Sequence, residues 1–165
     1  MMRASPIIKI FVLSVLFVFL SSCSSSKSRV GGVLSLDTDI KITFEVDSDI
    51  NPDEKNKPSP LFVRMYELKS ETLFNKVDFV GLYEKDEALL GADLIRKQEL
   101  KRIAPGEDHI ERFVADKETH YIAIYAEFFN YKDAKYKIIF PVTTNNIFRN
   151  SVRVRITENN ITLLQ

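Results

Sequence analysis

The chain has 165 residues, of which 45% are hydrophobic and 28% are charged, and its 23 basic residues balance its 23 acidic residues. This size fits one folded domain, and the balanced charge argues against a nucleic-acid-binding surface, which needs a basic patch. Because the chain has a single cysteine, an internal disulfide is excluded and an apolar core must hold the fold alone.

The first 22 residues predict a signal peptide. Arg3 and Lys9 provide a positive start, and residues 10–20 form an apolar run that is too short to cross a membrane, which takes about 20 residues. The following Leu20-Ser21-Ser22-Cys23 resembles the lipobox of bacterial lipoproteins, in which the chain is cut before a cysteine that carries diacylglycerol. We therefore predict lipidation of Cys23; an ordinary secretory signal with a nearby cysteine is the alternative.

A lipid on Cys23 would hold the mature chain on a membrane. Ser24 stands where an aspartate would often signal retention in the inner membrane, so the predicted location is the periplasmic face of the outer membrane. Small, polar and glycine residues follow, which predicts a flexible tether over residues 23–35. The folded domain is then expected over residues 36–165.

Alternating apolar residues predict that most of the domain is β-structure. In residues 40–46 the apolar side chains occupy every second position, as in a strand that is buried on one side. Strands are predicted over residues 40–46, 61–68, 97–103, 108–114, 121–128, 135–142, 151–157 and 161–164. About eight short strands separated by turn residues indicate a β-sandwich or a barrel.

The period of the apolar residues changes between residues 70 and 91, where a small helical insertion is predicted. Ser70 can cap a helix over residues 71–76, and Asp78 can cap a second helix over residues 79–84. Residues 86–90 can add a further turn, which Gly91 would end. The apolar face of the insertion is expected to pack on an edge or an end of the sandwich.

Residues 47–60 form a long polar segment between two predicted strands. Hairpin loops usually have two to five residues, and longer loops are commonly functional or disordered. Pro52, Pro58 and Pro60 restrict the backbone and lower the ordering cost of binding. Ile50 is the only large apolar residue here and is expected to be an exposed anchor. Two other interpretations stay open: a solvated loop without function, and a calcium site, which lacks the glycine and spaced glutamate of an EF-hand.

The sequence contains no arrangement of residues that is typical of a catalytic site. The only histidines are His109 and His120, and together with a lipidated cysteine they fall short of the three or four ligands of a zinc site. No nucleophile elbow, phosphate-binding glycine loop or H-E-x-x-H motif appears. We therefore predict a protein that is not an enzyme and has no cofactor and no metal.

Several short motifs carry a resemblance to a known family. They are Asn51-Pro52-Asp53, Pro58-Ser59-Pro60, Val63-Arg64 with Tyr66 and Leu68, Phe74, Asp78-Phe79, Leu82-Tyr83, Leu90-Gly91-Ala92-Asp93-Leu94, Pro105-Gly106 and Ala134-Lys135-Tyr136. With these motifs, residues 40–157 resemble the outer-membrane lipoprotein of bacterial type VI secretion systems, the TssJ family. The departure is Tyr136, where the family pattern would have a tryptophan.

The resemblance implies a fold that is mainly β, a transthyretin-like sandwich of two sheets with a small helical insertion. It also implies a structural role in the secretion membrane complex, tethering the periplasmic C-terminal part of the inner-membrane IcmF-like (TssM-type) component. The implied contact with this partner is the loop between the first two strands. Its candidate residues are Asp49, Ile50, Asn51, Pro52, Asp53, Glu54, Lys55, Asn56, Lys57, Pro58 and Ser59.

Two other functions stay open from the residues themselves. A lipoprotein module that binds a small ligand or a glycan predicts a concave site lined by aromatic side chains. A periplasmic hydrolase predicts a cleft that contains a group with a perturbed pKa. Exposed apolar residues on the helical insertion would favour a protein interface over both alternatives.

Overall fold

The computed structural model describes residues 38–142 and 150–164, and the predicted signal peptide, Cys23 and the tether lie outside them. The described residues form strands β1 to β8 and helices α1 and α2. The strands are β1 Thr38–Val46, β2 Val63–Leu68, β3 Leu94–Glu99, β4 His109–Ala115, β5 Tyr121–Ala126, β6 Lys137–Pro141, β7 Asn150–Thr157 and β8 Asn160–Leu164. The helices are α1 Thr72–Lys76 and α2 Phe79–Leu90, and short 3-10 turns occupy Gly91–Asp93 and Tyr131–Asp133.

The strands form two sheets of four strands each. Sheet 1 has the order β4-β1-β7-β8 and sheet 2 has the order β3-β2-β5-β6. All pairs are antiparallel except β1 with β7, which run parallel. The parallel strands β1 and β7 are far apart in the sequence, with strands of both sheets between them. The predicted mainly β sandwich is therefore confirmed.

The main core lies between the two sheets. The apolar residues that alternate along β1, such as Ile42 and Phe44, have no exposed surface, and they meet Val63 and Met65 of β2 across the sandwich within one cluster. Burial of a side chain of this size stabilises a fold by about 1.5–3 kcal/mol. This cluster supplies the core that a domain with a single cysteine requires.

The helical insertion covers the outer face of sheet 2, rather than the edge or end of the sandwich that the sequence suggested. Tyr66 and Tyr125 on that face pack with Phe74 of α1 and with Leu82 and Leu90 of α2 in a second buried cluster. Both faces of β2 and β5 are therefore largely buried, and both strands carry apolar side chains on each side. No helix among the described residues is long and apolar enough to cross a membrane.

The ends of the two helices follow the predicted capping residues. The Ser70 hydroxyl accepts a hydrogen bond from the Thr72 backbone N–H (3.2 Å), and the Asp78 carboxylate accepts one from the Gly81 N–H (2.8 Å). A kink at Lys85 (φ −143°) divides α2 where the sequence suggested a break. Gly91 follows α2 with φ 48°, a value that glycine adopts without strain.

Most strand boundaries differ from the predictions by one or two residues, and two of the differences involve residues of the core. The third strand occupies residues 94–99 instead of 97–103, and β2 begins at Val63 rather than at residue 61. Leu61 instead forms an isolated bridge with Ile103, with backbone hydrogen bonds of 2.9 and 3.0 Å. The apolar residues around this bridge belong to the core, so periodicity alone extended both strands too far.

Candidate functional site

The long loop of residues 47–60 connects the two sheets at one end of the sandwich. β1 belongs to sheet 1 and β2 to sheet 2, so the connection has to cross the end of the core, which a tight hairpin cannot do. The Asp47 backbone N–H donates to the Ile156 carbonyl oxygen, and the Gly106 N–H donates to the Asp47 carbonyl oxygen (both 3.0 Å). Part of the length of this loop is therefore structural.

Ile50 corrects one sequence-based expectation. Its side chain has no exposed surface and belongs to the main core, so the prediction of an exposed apolar anchor is wrong. Its carbonyl oxygen accepts a hydrogen bond from the Ser59 N–H (3.2 Å), which closes the base of the loop. Ile50 fills the end of the core where the chain passes between the sheets, and it holds the loop instead of presenting it.

Asn51 joins three loops at this end of the sandwich. Its side chain accepts a hydrogen bond from the Phe129 N–H (2.7 Å) and donates one to the Pro60 carbonyl oxygen (3.1 Å). Its backbone N–H donates to the Glu158 carbonyl oxygen (2.6 Å), and its carbonyl oxygen accepts from the Ser59 hydroxyl (2.6 Å). The loop of residues 47–60, the β5–β6 loop and the β7–β8 turn are therefore held together by one buried residue.

Residues 53–58, which we call the loop tip, are ordered by the Asp53 carboxylate. One of its oxygens accepts hydrogen bonds from the backbone N–H groups of Lys57 (2.9 Å) and Lys55 (2.8 Å), and these bonds hold the pKa of Asp53 below its usual value. Residues 54–58 are exposed. The tip is therefore an exposed turn whose conformation is set by its own hydrogen bonds.

A shallow polar groove of about 300 Å³ lies beside the loop tip. Its lining includes the carboxylates of Asp53, Glu54 and Glu158 and the side chain of Asn159. Asn51, Asn56 and Glu158 have φ between 23° and 56°, which is the left-handed region, and for a glutamate this conformation stores strain. Glu158 and Asn159 form the two-residue turn between β7 and β8, and a turn of this length commonly requires a positive φ.

Comparison with models of protein families identifies the family of this chain. The family described as "Type VI secretion lipoprotein, VasD, EvfM, TssJ" matches residues 38–159, which is most of the chain. The chain belongs to this family. A comparison with curated proteins found no match.

Solved structures share the fold of this type VI secretion lipoprotein. The lipoprotein TssJ1 from Pseudomonas aeruginosa is 23% identical (TM-score 0.71), over 78% of this chain and 95% of that chain. Lip from Serratia marcescens, described as a membrane-bound component of the type VI secretion system, is 19% identical (TM-score 0.72), over 79% and 100% of the chains. A chain of a structure described as the TssM C-terminal domain from EAEC is 19% identical (TM-score 0.64), over 77% and 98%.

A buried charge cluster fastens the helical insertion of this lipoprotein to sheet 2. Asp86 of α2 accepts hydrogen bonds from the Tyr66 hydroxyl (2.8 Å) and Arg64 (3.1 Å) and pairs with Lys97 (2.9 Å). Arg64 also pairs with Glu127 (2.6 Å). Burial alone would raise the pKa of Asp86, but the bonds from Lys97 and Tyr66 hold that pKa below its usual value. The cluster is internally paired, which fits a structural role.

The remaining candidate residues are separated in the fold. His109 on β4 lies 2.7 Å from the Glu111 carboxylate, whereas His120 precedes β5 in the other sheet, and its ring lies 3.0 Å from the Lys69 carbonyl oxygen. Within residues 38–142 and 150–164, no three His, Cys, Asp or Glu side chains are placed to hold a metal ion. Tyr136 meets Phe79 edge-on (5.2 Å between ring centroids), so an aromatic contact persists at the position that departs from the family pattern.

Proposed function

We propose that this lipoprotein is a structural, non-enzymatic part of a type VI secretion membrane complex. Lipid on Cys23 anchors it to the periplasmic face of the outer membrane. The domain binds the periplasmic C-terminal part of the TssM-type, IcmF-like inner-membrane component. Membership of the family and the likeness to a chain in the TssM structure from EAEC support this role.

The contact that we propose is the loop tip, and the hydrogen bonds of Asn51 are the observation that carries the proposal. A loop of this length would lose much conformational entropy on binding if it were free. Here Asn51 fixes both ends of the loop and Asp53 fixes its turn, so binding orders little additional chain. The exposed residues Glu54, Lys55 and Lys57 can form charged hydrogen bonds with a partner.

The lipid anchor that we propose at Cys23 limits how far from the membrane the loop tip can lie. Residues 23–35 span at most about 45 Å when fully extended. A lipidated cysteine with more than one acyl chain stays on the membrane. The tether would therefore keep the domain close to the membrane surface, while the partner reaches it from the opposite membrane.

The test is co-purification from detergent-solubilised envelopes. We expect the wild-type protein to retain the TssM-type partner. A tip variant that combines Glu54→Gly, Lys55→Ser, Asn56→Gly and Lys57→Ser should lose the partner while melting like wild type, because it leaves Asn51 and Asp53 in place. Cys23→Ser should bind the partner in solution but leave the membrane fraction.

A matched control separates the tip from a general effect of charge. Lys117 is exposed in the β4–β5 loop, at the other end of β1 from the loop tip. Lys55→Glu should weaken partner retention, and Lys117→Glu should leave it unchanged. A folded tip variant that retains the partner would disprove the contact site, and a wild-type protein that retains no partner would disprove the tethering function.

A further inference from the structure

A second groove lies next to the loop tip, between the start of α2 and the β5–β6 loop. We call it the aromatic groove. It has a volume of about 390 Å³. It is lined by Phe79, Val80, Tyr83, Glu84, Glu127, Phe128, Phe129 and Tyr131. Phe129 is 58% exposed, Tyr83 is 54% exposed and Val80 is 42% exposed, so three large apolar side chains of one groove are open to water. Such a patch marks an interaction site more often than a monomer's ordinary surface.

The aromatic rings that line this groove are held in place by contacts with neighbouring side chains. The Phe79 ring stacks on Tyr131 with 4.2 Å between centroids and an interplanar angle of 10°, and it also packs against Tyr125 (5.3 Å). The guanidinium of Arg64 lies 5.6 Å from the centre of the Tyr83 ring, and the Tyr125 hydroxyl donates to the Phe79 carbonyl oxygen (3.2 Å). Rings that are already fixed lose little freedom when a partner covers them.

The aromatic groove is continuous with the polar groove beside the loop tip. Phe129 lines both grooves, and its backbone N–H is held by Asn51. The hydrogen bond between Asn51 and Phe129 therefore joins the loop of residues 47–60 to one side of the aromatic groove. A partner that binds the loop tip would have the exposed Phe129 ring at the margin of its contact.

The charges that line the two grooves have one sign. The charged residues lining the aromatic groove are Glu84 and Glu127, and those lining the polar groove are Asp53, Glu54 and Glu158. Glu127 is paired with Arg64, whereas Glu84 is exposed. An apolar groove with an acidic margin complements an apolar side chain that is flanked by Lys or Arg.

We propose that the aromatic groove is a second contact of the same protein partner and takes a segment in which an apolar side chain is flanked by basic residues. This inference rests on the proposed function, and it assigns part of the helical insertion to partner binding. The loop tip supplies polar contacts at one side of Phe129, and the aromatic groove at the other side would bury the apolar side chain of the partner. Apolar side chains that become buried at the centre of an interface commonly carry most of its binding energy.

The experiment uses two residues of α2 that are matched in exposure. Val80 (42% exposed) lines the groove, and Leu89 (41% exposed) belongs to the same helix but not to the groove lining. The mature full-length lipoprotein in detergent is titrated with the purified periplasmic C-terminal domain of the TssM-type protein from the same bacterium. Val80→Lys should weaken binding at least about tenfold, and Leu89→Lys should change it by less than about twofold. Thermal melts check that both variants fold.

The charge of Glu84 gives a second test. Glu84→Gln should weaken binding at low salt, and the difference from wild type should shrink at high salt, because screening removes the attraction that Glu84 exerts on a basic segment. Equal binding by wild type and Glu84→Gln at every salt concentration would overturn the basic character of the occupant.

The outcomes distinguish this inference from the proposed function. If the tip variant loses binding while Val80→Lys binds like wild type, the inference is wrong and the proposed function stands. If wild type does not bind the partner domain, both fail. If sedimentation shows a dimer that Val80→Lys dissociates, the occupant is a second copy of this chain. If Cys23→Ser floats with vesicles of phosphatidylethanolamine and phosphatidylglycerol only when Val80 is intact, the occupant is a membrane. Either result overturns the inference.

Discussion

Replacement of Asn51 by alanine should destabilise the domain by about 3 kcal/mol. The change removes the hydrogen bonds to the Phe129 N–H and the Pro60 carbonyl oxygen, each of which contributes about 1 kcal/mol. It also places an alanine at φ 47°, which costs about 1 kcal/mol more than an asparagine there. Asn51→Gly loses the same two bonds but accepts this backbone, so it should cost only about 2 kcal/mol.

A second position isolates the backbone part of this effect. Asn56 has a similar φ of 56° and is exposed, so Asn56→Ala should cost about 1 kcal/mol and Asn56→Gly close to nothing. The assay is urea unfolding of the unlipidated mature chain, followed by circular dichroism and by tyrosine fluorescence, since the chain has no tryptophan and 6 tyrosines. An Asn51→Ala variant within about 0.5 kcal/mol of wild type would refute the assignment of Asn51 as the residue that joins the loops.

Three further predictions concern the helical insertion. Asp86→Asn should lower stability at pH 7 by about 2 kcal/mol, because it removes the charged acceptor that Arg64, Tyr66 and Lys97 share, while Arg64 keeps its pair with Glu127. Since the pKa of folded Asp86 is lowered, its contribution is present above the unfolded pKa near 4 and is lost as the pH falls through the lower folded pKa, so melts of wild type and variant should converge in acid. Gly81→Ala should destabilise the domain by about 1 kcal/mol in urea unfolding, because the new Cβ would lie 2.7 Å from Val77 Cγ1. Alanine favours helices over glycine, so a stabilised variant would contradict this packing. Lys137→Met should speed amide exchange in α1 about tenfold, because Lys137 Nζ donates hydrogen bonds of 2.7–3.0 Å to the carbonyl oxygens at the end of that helix. Unchanged exchange would show that α1 does not depend on these hydrogen bonds.

Local patterns predicted the parts of the fold in which neighbouring residues decide the structure. The alternation of residues 40–46 marks β1 because sequence neighbours point to opposite faces of a strand. Ser70 and Asp78 mark the helix starts because a cap acts within three residues. The side of the sandwich on which the helices lie depends on which face of sheet 2 is apolar. Tyr66, Ala123 and Tyr125 make the outer face of sheet 2 apolar, which is visible only when β2 and β5 are known to be neighbours.

The organisation of the loops could not be predicted, because the contacts that set it are far apart in the sequence. Asn51 and Phe129 are separated by 78 residues. Ile50 is a single apolar residue in a polar segment, so no periodicity shows that it is buried. Arg64 and Asp86 lie 22 residues apart on different elements, and only the docked insertion brings them together. The sequence motif around Asn51 predicted a partner contact, which stays a prediction, and it gave no sign that Asn51 orders three loops.

The position of β1 has a mechanical consequence. β1 starts at Thr38, close to the end of the predicted tether, and finishes at Val46, where the loop of residues 47–60 begins; its nine residues extend about 30 Å. A pull between a lipid anchor and a partner held at the loop tip would therefore act along the axis of this strand. β1 is paired on both sides, with β4 from Thr38 to Phe44 and with β7 from Ile40 to Val46. Because both points of load lie at the ends of β1, the tension would run along this one extended strand, and the ladders on both sides would hold the strand in its place in sheet 1.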